Sequence, residues 1–121
     1  MREEHYTIPI KIESEGNKVE HWTKKHKRKK AIQAAIYYFA KRIAIRPPCT
    51  VILTRIAPRR LDDEDNLRSA LKMPKDVVAD ILHPGLAPGR ADGLGDIEWK
   101  FDQIKGDVRQ YALSIRLIAK E

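Results

Sequence analysis

Residues 49–56, CTVILTRI, are rich in β-branched side chains with polar residues placed between them, a composition typical of a β-strand. Prolines bound this stretch on both sides. Downstream of it, apolar residues recur at helical spacing and predict a helix over residues 64–82: Leu67, Ala70, Leu71, Val78 and Ile81. Pro74 lies inside this helical pattern, so we expect the helix to kink or break there.

Two elements are predicted upstream of this central strand. Residues 5–12 alternate apolar and polar side chains, which predicts a half-buried strand, and Pro9 favours a position at the sheet edge. Residues 22–43 carry an apolar stripe at helical spacing, which consists of Ile32, Ala35, Ile36, Phe39, Ala40 and Ile43. The beginning of this helix is crowded with like charges from Lys24 to Lys30, so the helix is expected to begin only around Lys27.

The C-terminal third is predicted to contain a loop and two strands. Residues 83–95 are rich in glycine and proline and predict a long loop. Alternating patterns over residues 97–101 and 111–117 flank a turn at residues 105–107 and predict a hairpin. The order β-α-β-α-β-β indicates a small α+β fold, with residues 1–121 forming a single domain whose mixed sheet is covered by two main helices.

Charge is distributed unevenly along the chain, whose formal net charge is +7. Residues 1–60 contain 15 basic and 5 acidic side chains, whereas residues 61–121 contain 9 and 12. A basic first half would attract a polyanion such as DNA.

No apolar run approaches the roughly 18 residues of a membrane span, and the chain does not begin like a signal peptide, so we expect a cytoplasmic protein with no membrane partner. The only cysteine, Cys49, cannot form an internal disulfide and is given no chemical role.

Four consecutive carboxylates follow the central strand: Asp62, Asp63, Glu64 and Asp65. One explanation is a helix start, where acidic side chains cap free amides and complement the helix dipole. The other is a metal site, because Asp63 and Asp65 project to the same side of extended backbone and carboxylates are the ligands that Mg²⁺ prefers. A divalent ion there would reverse the repulsion between carboxylate and phosphate and would activate a water molecule.

Residues 59–67, RRLDDEDNL, resemble the basic D-x-D-N-L segment of RusA-type Holliday-junction resolvases. The length and the order of elements also resemble that family, so the likeness extends over nearly the whole chain. It implies a homodimeric endonuclease that depends on Mg²⁺, with Mn²⁺ as an alternative. Such an enzyme resolves four-way DNA junctions by symmetric paired cuts during recombination and repair, and many relatives are encoded by phages or prophages.

The same resemblance implies a set of catalytic residues. Asp63 and Asp65 become the first two metal ligands, and Asn66 fixes the turn beside them. The third acid is assigned to Asp96, with Asp92 and Glu98 as alternatives.

Ser69 occupies the position where the family has a functional lysine, four residues after the second aspartate. Lys72 is the nearest replacement, since it lies on the same helix face about 4.5 Å further along. Arg68 is an alternative cation near the phosphate to be cut. This departure leaves open a second function, a DNA-junction-binding protein of the same fold with weak or absent catalysis.

Further positive charges are interpreted as contacts to the DNA backbone. They are Lys24, Lys25, Lys27, Arg28, Lys29, Lys30, Arg59, Arg60 and Arg68. Trp22 either stacks on an exposed base or packs over the start of the helix, and Tyr37 or Tyr38 is a candidate for a dimer interface. Two symmetric cuts require two equivalent sites, which a two-fold homodimer supplies. A third interpretation, a small RNA-binding protein, leaves the acidic cluster unexplained.

Overall fold

The computed structural model describes residues 2–13, 21–62, 64–85 and 95–120 of the chain. Its elements are, in chain order, β1 (Glu3–Ile8), α1 (Trp22–Ala40), β2 (Cys49–Ala57), α2 (Glu64–Leu82), β3 (Ile97–Lys105) and β4 (Ala112–Ala119). This order confirms the predicted small α+β fold with a mixed sheet and two helices. Within these residues, neither helix is long and apolar enough to cross a membrane.

The four strands form one sheet in the order β1-β4-β2-β3. Strand β2 is parallel to β3 and antiparallel to β4, and β4 is antiparallel to β1. The predicted hairpin of the last two strands is therefore wrong, because β2 lies between them. The connection from β3 to β4 passes over the end of β2, where the Gly106 amide donates a 2.8 Å hydrogen bond to the Ala57 carbonyl.

The central position of β4 is reflected in the burial of its side chains. Leu113, Ile115 and Leu117 are completely buried on one face of this strand, whereas Trp99 and Phe101 of β3 are only partly buried. Strand β3 also carries alternating apolar residues on one face, so composition alone does not decide which of the two strands is central. Alternation specifies which face of a strand is buried, but it does not specify which strand pairs with it.

Helix α1 begins at Trp22 and includes the whole basic run, so the expected later start near Lys27 is wrong. His21 caps the helix, since its Nδ1 accepts a 3.2 Å hydrogen bond from the Thr23 amide. At the other end of α1, Ile36 and Ala40 are buried against the sheet. A cap at one end and packing at the other stabilise the helix despite its like charges.

Helix α2 runs through Pro74 without a break. The proline side chain is fully buried, together with Leu71 and Val78 on the same helix face. Packing of this face against the sheet offsets the hydrogen bond that proline cannot make.

The two helices begin at the same end of the sheet. Strands β1, β2 and β3 all run in one direction, and each helix returns in the opposite direction. The clefts between the helices show the same parallel arrangement. Residues 29–33 of α1 share one cleft with residues 69–73 of α2, and residues 37–41 share another with residues 77–81. We call the end with the carboxyl termini of β1–β3 and both helix starts the upper end, and the opposite end the lower end.

Candidate functional site

The segment between β2 and α2 is held at the upper end by side chains from neighbouring strands. Gln103 of β3 accepts a 2.8 Å hydrogen bond from the Leu61 amide and donates a 3.2 Å bond to the Leu61 carbonyl. Arg55 of β2 donates a 2.8 Å hydrogen bond to the Arg59 carbonyl. These bonds fix the backbone from which the acidic cluster projects.

The described members of the acidic cluster lie exposed where α2 begins. Glu64 and Asp65 form the first turn of the helix, and Asp62 precedes it. Asp63, a predicted metal ligand, lies outside the described residues. Negative side chains are favourable at a helix start, and exposed carboxylates are also accessible to a cation. The placement of Asp65 is thus compatible with both explanations of the cluster.

Asp96 lies at the opposite end of the domain from Asp65. Its Oδ1 is 3.0 Å from Nε2 of His83, which directly follows α2. Eighteen residues separate Asp65 from His83, so they are about 27 Å apart along a regular α-helix. The structure therefore does not bring Asp96 next to Asp65 within one chain.

The two alternative acids do not join Asp65 either. Glu98 is also at the lower end, where it accepts a 3.0 Å hydrogen bond from the Thr50 hydroxyl and lies 3.8 Å from Lys120 Nζ. Asp92 lies outside the described residues. In the part of the chain that the structure describes, no group of three His, Cys, Asp or Glu side chains could hold a metal ion.

The two candidates for the missing lysine lie on different flanks of α2. Lys72 lines the cleft toward α1 together with Ser69 and Lys29, and its Nζ is 3.9 Å from Asp76 Oδ2. Arg68 lines a cleft on the β3 side, beside Trp99. Lys72 is thus the cation that shares the face of Ser69, as the helical spacing predicts.

The basic run of α1 lies at the upper end, as does the start of α2. Its member Lys29 lines the same cleft as Lys72, and Arg59 and Arg60 are exposed where β2 ends. The predicted DNA contacts and the first-turn acids of α2 therefore lie at one end of the molecule.

Trp22 is exposed at the upper end, where 74% of its surface is accessible. Its ring stacks only loosely on that of His21, with 6.0 Å between centroids. Of the two possibilities left open, the structure favours an available indole over one packed on the helix. Tyr37 and Tyr38 are also more than half exposed, further down α1.

Arg55 is a buried cation that the functional predictions did not include. Only 7% of its surface is exposed, and its Nε donates a 2.8 Å hydrogen bond to the Ile12 carbonyl. Burial lowers the pKa of its guanidinium, which nevertheless stays charged because arginine titrates far above neutral pH. A sequence signal existed, since Arg55 occupies the buried register of Val51 and Leu53 in an otherwise apolar alternation.

No protein-family model matches the chain, and a search of curated proteins finds no matching sequence. The interpretation of this site therefore rests on its residues and their placement.

Proposed function

We propose that the protein is a Mg²⁺-dependent, structure-selective DNA endonuclease that resolves four-way junctions. The observation that supports this most is the common end at which the two helices begin. The basic run of α1 and Asp65 of α2 both lie at this end. A nuclease needs this combination, because cations position the phosphate backbone while carboxylates recruit the metal that cuts it.

Each group at the upper end has a proposed role. The basic run and the exposed Arg59 and Arg60 hold the DNA backbone. Asp65, together with Asp63, holds the metal ion, which when bound lowers the pKa of water and neutralises charge developing on the phosphate. Lys72, or Arg68 on the other flank, places a positive charge close to the phosphate that is cut.

The described residues meet the minimum that Mg²⁺ requires in such sites. One or two carboxylates suffice when waters and substrate phosphate oxygens complete the octahedron. Asp65 is exposed and directly follows three other acidic residues in the sequence, so it can serve in this way. Asp96 can serve the same site only from a second subunit, because α2 separates the two residues within one chain.

The proposal includes a homodimer, and subunit mixing tests whether Asp96 acts across it. If it does, a dimer of Asp65→Asn and Asp96→Asn subunits retains one intact site and nicks the junction, although neither variant cuts alone. If each site uses only its own chain, Asp96→Asn cuts by itself.

The deciding experiment is incubation of a synthetic four-way junction with the protein and Mg²⁺. We expect paired symmetric cuts, loss of cutting in Asp65→Asn, and retained junction binding by that variant. The matched control is Asp80→Asn, which removes an exposed carboxylate near the other end of the same helix. Equal treatment of junction and linear duplex would contradict the proposal.

A junction-binding protein without catalysis is the second candidate. Ser69 in the lysine position favours it. Tight, junction-selective binding with no cleavage in either Mg²⁺ or Mn²⁺ would establish this function instead.

A further inference from the structure

A small pocket lies at the upper end beside the carboxyl end of β2. Its volume is about 270 Å³, and its polar lining comes from Lys11, Glu13, Arg55, Arg59 and Tyr111. A water molecule occupies about 30 Å³ of liquid, so the pocket has room for a larger polar group. Of the proposed catalytic residues that the structure describes, none lines it.

The charges around this pocket do not balance. Lys11 Nζ is 3.0 Å from Glu13 Oε1 and 4.9 Å from the centre of the Tyr111 ring. Glu13 also acts electrostatically on Arg55. Among the described residues, the lining therefore contains one carboxylate and three cations, Lys11, Arg55 and Arg59, and carries a net charge of +2.

Arg55 gives the pocket a rigid cationic wall. It is 7% exposed, and hydrogen bonds to the carbonyls of Ile12 and Arg59 hold its guanidinium from two sides. A guanidinium fixed in this way loses little side-chain entropy when it binds an anion. Arg55 presents several N–H donors in a planar fork that matches the oxygens of a phosphate group.

The pocket also connects the two regions proposed to hold DNA. Lys11 and Glu13 line a neighbouring groove together with Arg28 of the basic run. On its other side the pocket is bounded by Arg59, where the segment leading to the acidic cluster begins. Basic residues therefore line two adjoining clefts between α1 and that segment.

We propose that this pocket is a phosphate-binding site that holds one backbone phosphate of the bound DNA, with Arg55 and Lys11 as its main ligands. This inference rests on the proposed function, since it assigns the pocket to the same substrate. The Tyr111 hydroxyl can add a neutral donor.

The first test measures junction binding without divalent metal over a range of salt concentrations. Lys11→Gln is expected to weaken binding several-fold and to lower the slope of log K against log salt by about 0.9, the value for one phosphate contact. The matched control is Lys120→Gln, because Lys120 is similarly exposed and is also paired with a glutamate, but lies at the lower end. We expect it to match the wild-type protein in both affinity and slope.

The second test titrates inorganic phosphate while following the Arg55 Nε–H signal by NMR. A saturable shift supports a phosphate site if the affinity for phosphate falls at least five-fold in Lys11→Gln but not in Lys120→Gln. The absence of a saturable shift, or equal shifts in both variants, overturns it, whether or not the protein binds DNA.

The two tests together separate this inference from the proposed function. If the wild-type protein cuts junctions but Lys11→Gln leaves the salt slope unchanged, the pocket assignment fails and the nuclease proposal stands. If phosphate binds the pocket but junctions do not bind the protein, the proposed function fails and the ligand is a free phosphate group rather than DNA.

Discussion

The upper and lower ends of the domain use their charged side chains differently. At the lower end, Asp96 pairs with His83, and Glu4 accepts hydrogen bonds from the amides of Ala44 and Ile45. At the upper end, Asp65 and Arg60 are exposed at the surface. The comparison suggests that the charges of the lower end stabilise the fold, while those of the upper end are available to a ligand.

The largest expected difference between the two ends is in junction cleavage, when the same aspartate-to-asparagine substitution is made at each end. Asp65→Asn is expected to reduce junction cleavage by roughly 100-fold or more, because a metal ligand contributes several kcal/mol to the transition state. Asp96→Asn should reduce cleavage by less than about 3-fold if each site uses its own chain. Single-turnover cleavage rates with saturating protein measure both.

Circular dichroism spectra of the two variants serve as the control for folding. A loss of cleavage in folded Asp96→Asn would contradict a purely stabilising role for Asp96. The subunit-mixing experiment would then show whether it acts across a dimer.

The basic run should give the next largest effect. Lys24→Gln combined with Lys27→Gln removes two charges from the upper end and is expected to lower the salt slope of junction binding by about 1.8. Lys41→Gln combined with Lys120→Gln removes two exposed charges from the lower end and should leave the slope unchanged. Fluorescence anisotropy at several salt concentrations checks both, and equal slopes for the two double variants would contradict a polarised DNA surface.

The elements of the fold could be predicted from local patterns. Periodicity gave α2 its bounds, because its apolar face is regular from Leu67 to Leu82. Pairing of the strands could not be predicted in this way, since β4 finds its neighbours through contacts with β1 and β2 that are distant in sequence. The predicted hairpin failed because short connections favour adjacent strands, whereas β2 lies between β3 and β4 in the sheet.

The candidate site was also predictable only where its residues are close in sequence. Neighbours in sequence, such as Asp65 and Arg60, necessarily lie close together. Asp96 was grouped with Asp65 by resemblance, but its distance from Asp65 depends on the direction of α2 and on the parallel pairing of β3 with β2. The place of Arg55 at the upper end could not be predicted either, because its hydrogen bonds to the Ile12 and Arg59 carbonyls form only in the folded chain.

A stabilising role for the lower end predicts a loss of stability without a loss of DNA binding. Glu4→Gln should lower the free energy of unfolding by about 2 kcal/mol, since the carboxylate accepts hydrogen bonds from Tyr6, Ala44 and Ile45. Partial burial acts to raise the pKa of Glu4, but these hydrogen bonds outweigh it and the pKa lies below its ordinary value of 4.5. Chemical denaturation at pH 7 measures the loss.

The pH dependence of that loss identifies its cause. A carboxyl group whose pKa is lowered by folding contributes stability above its unfolded pKa, and this contribution disappears as the pH falls through the folded pKa. The difference between wild type and Glu4→Gln should therefore be full at pH 7 and shrink below about pH 4.5. A difference that stays constant down to pH 3 would point to altered packing instead.

The smallest expected effect concerns Gln103, whose side chain holds the backbone of Leu61 at the upper end. Gln103→Leu removes both hydrogen bonds to Leu61 and should cost about 1 kcal/mol, since each amide bond contributes little net stability and the Leu61 groups are only part-buried. If those bonds position the acidic segment, cleavage should fall further than the lost stability explains, while junction binding through α1 persists. The Gln110 side-chain oxygen accepts a hydrogen bond from the Asp107 amide in the β3–β4 connection. Comparison with Gln110→Leu therefore separates lost stability from lost positioning of the acidic segment. Equal cleavage by the two variants would show that the acidic segment keeps its position without Gln103.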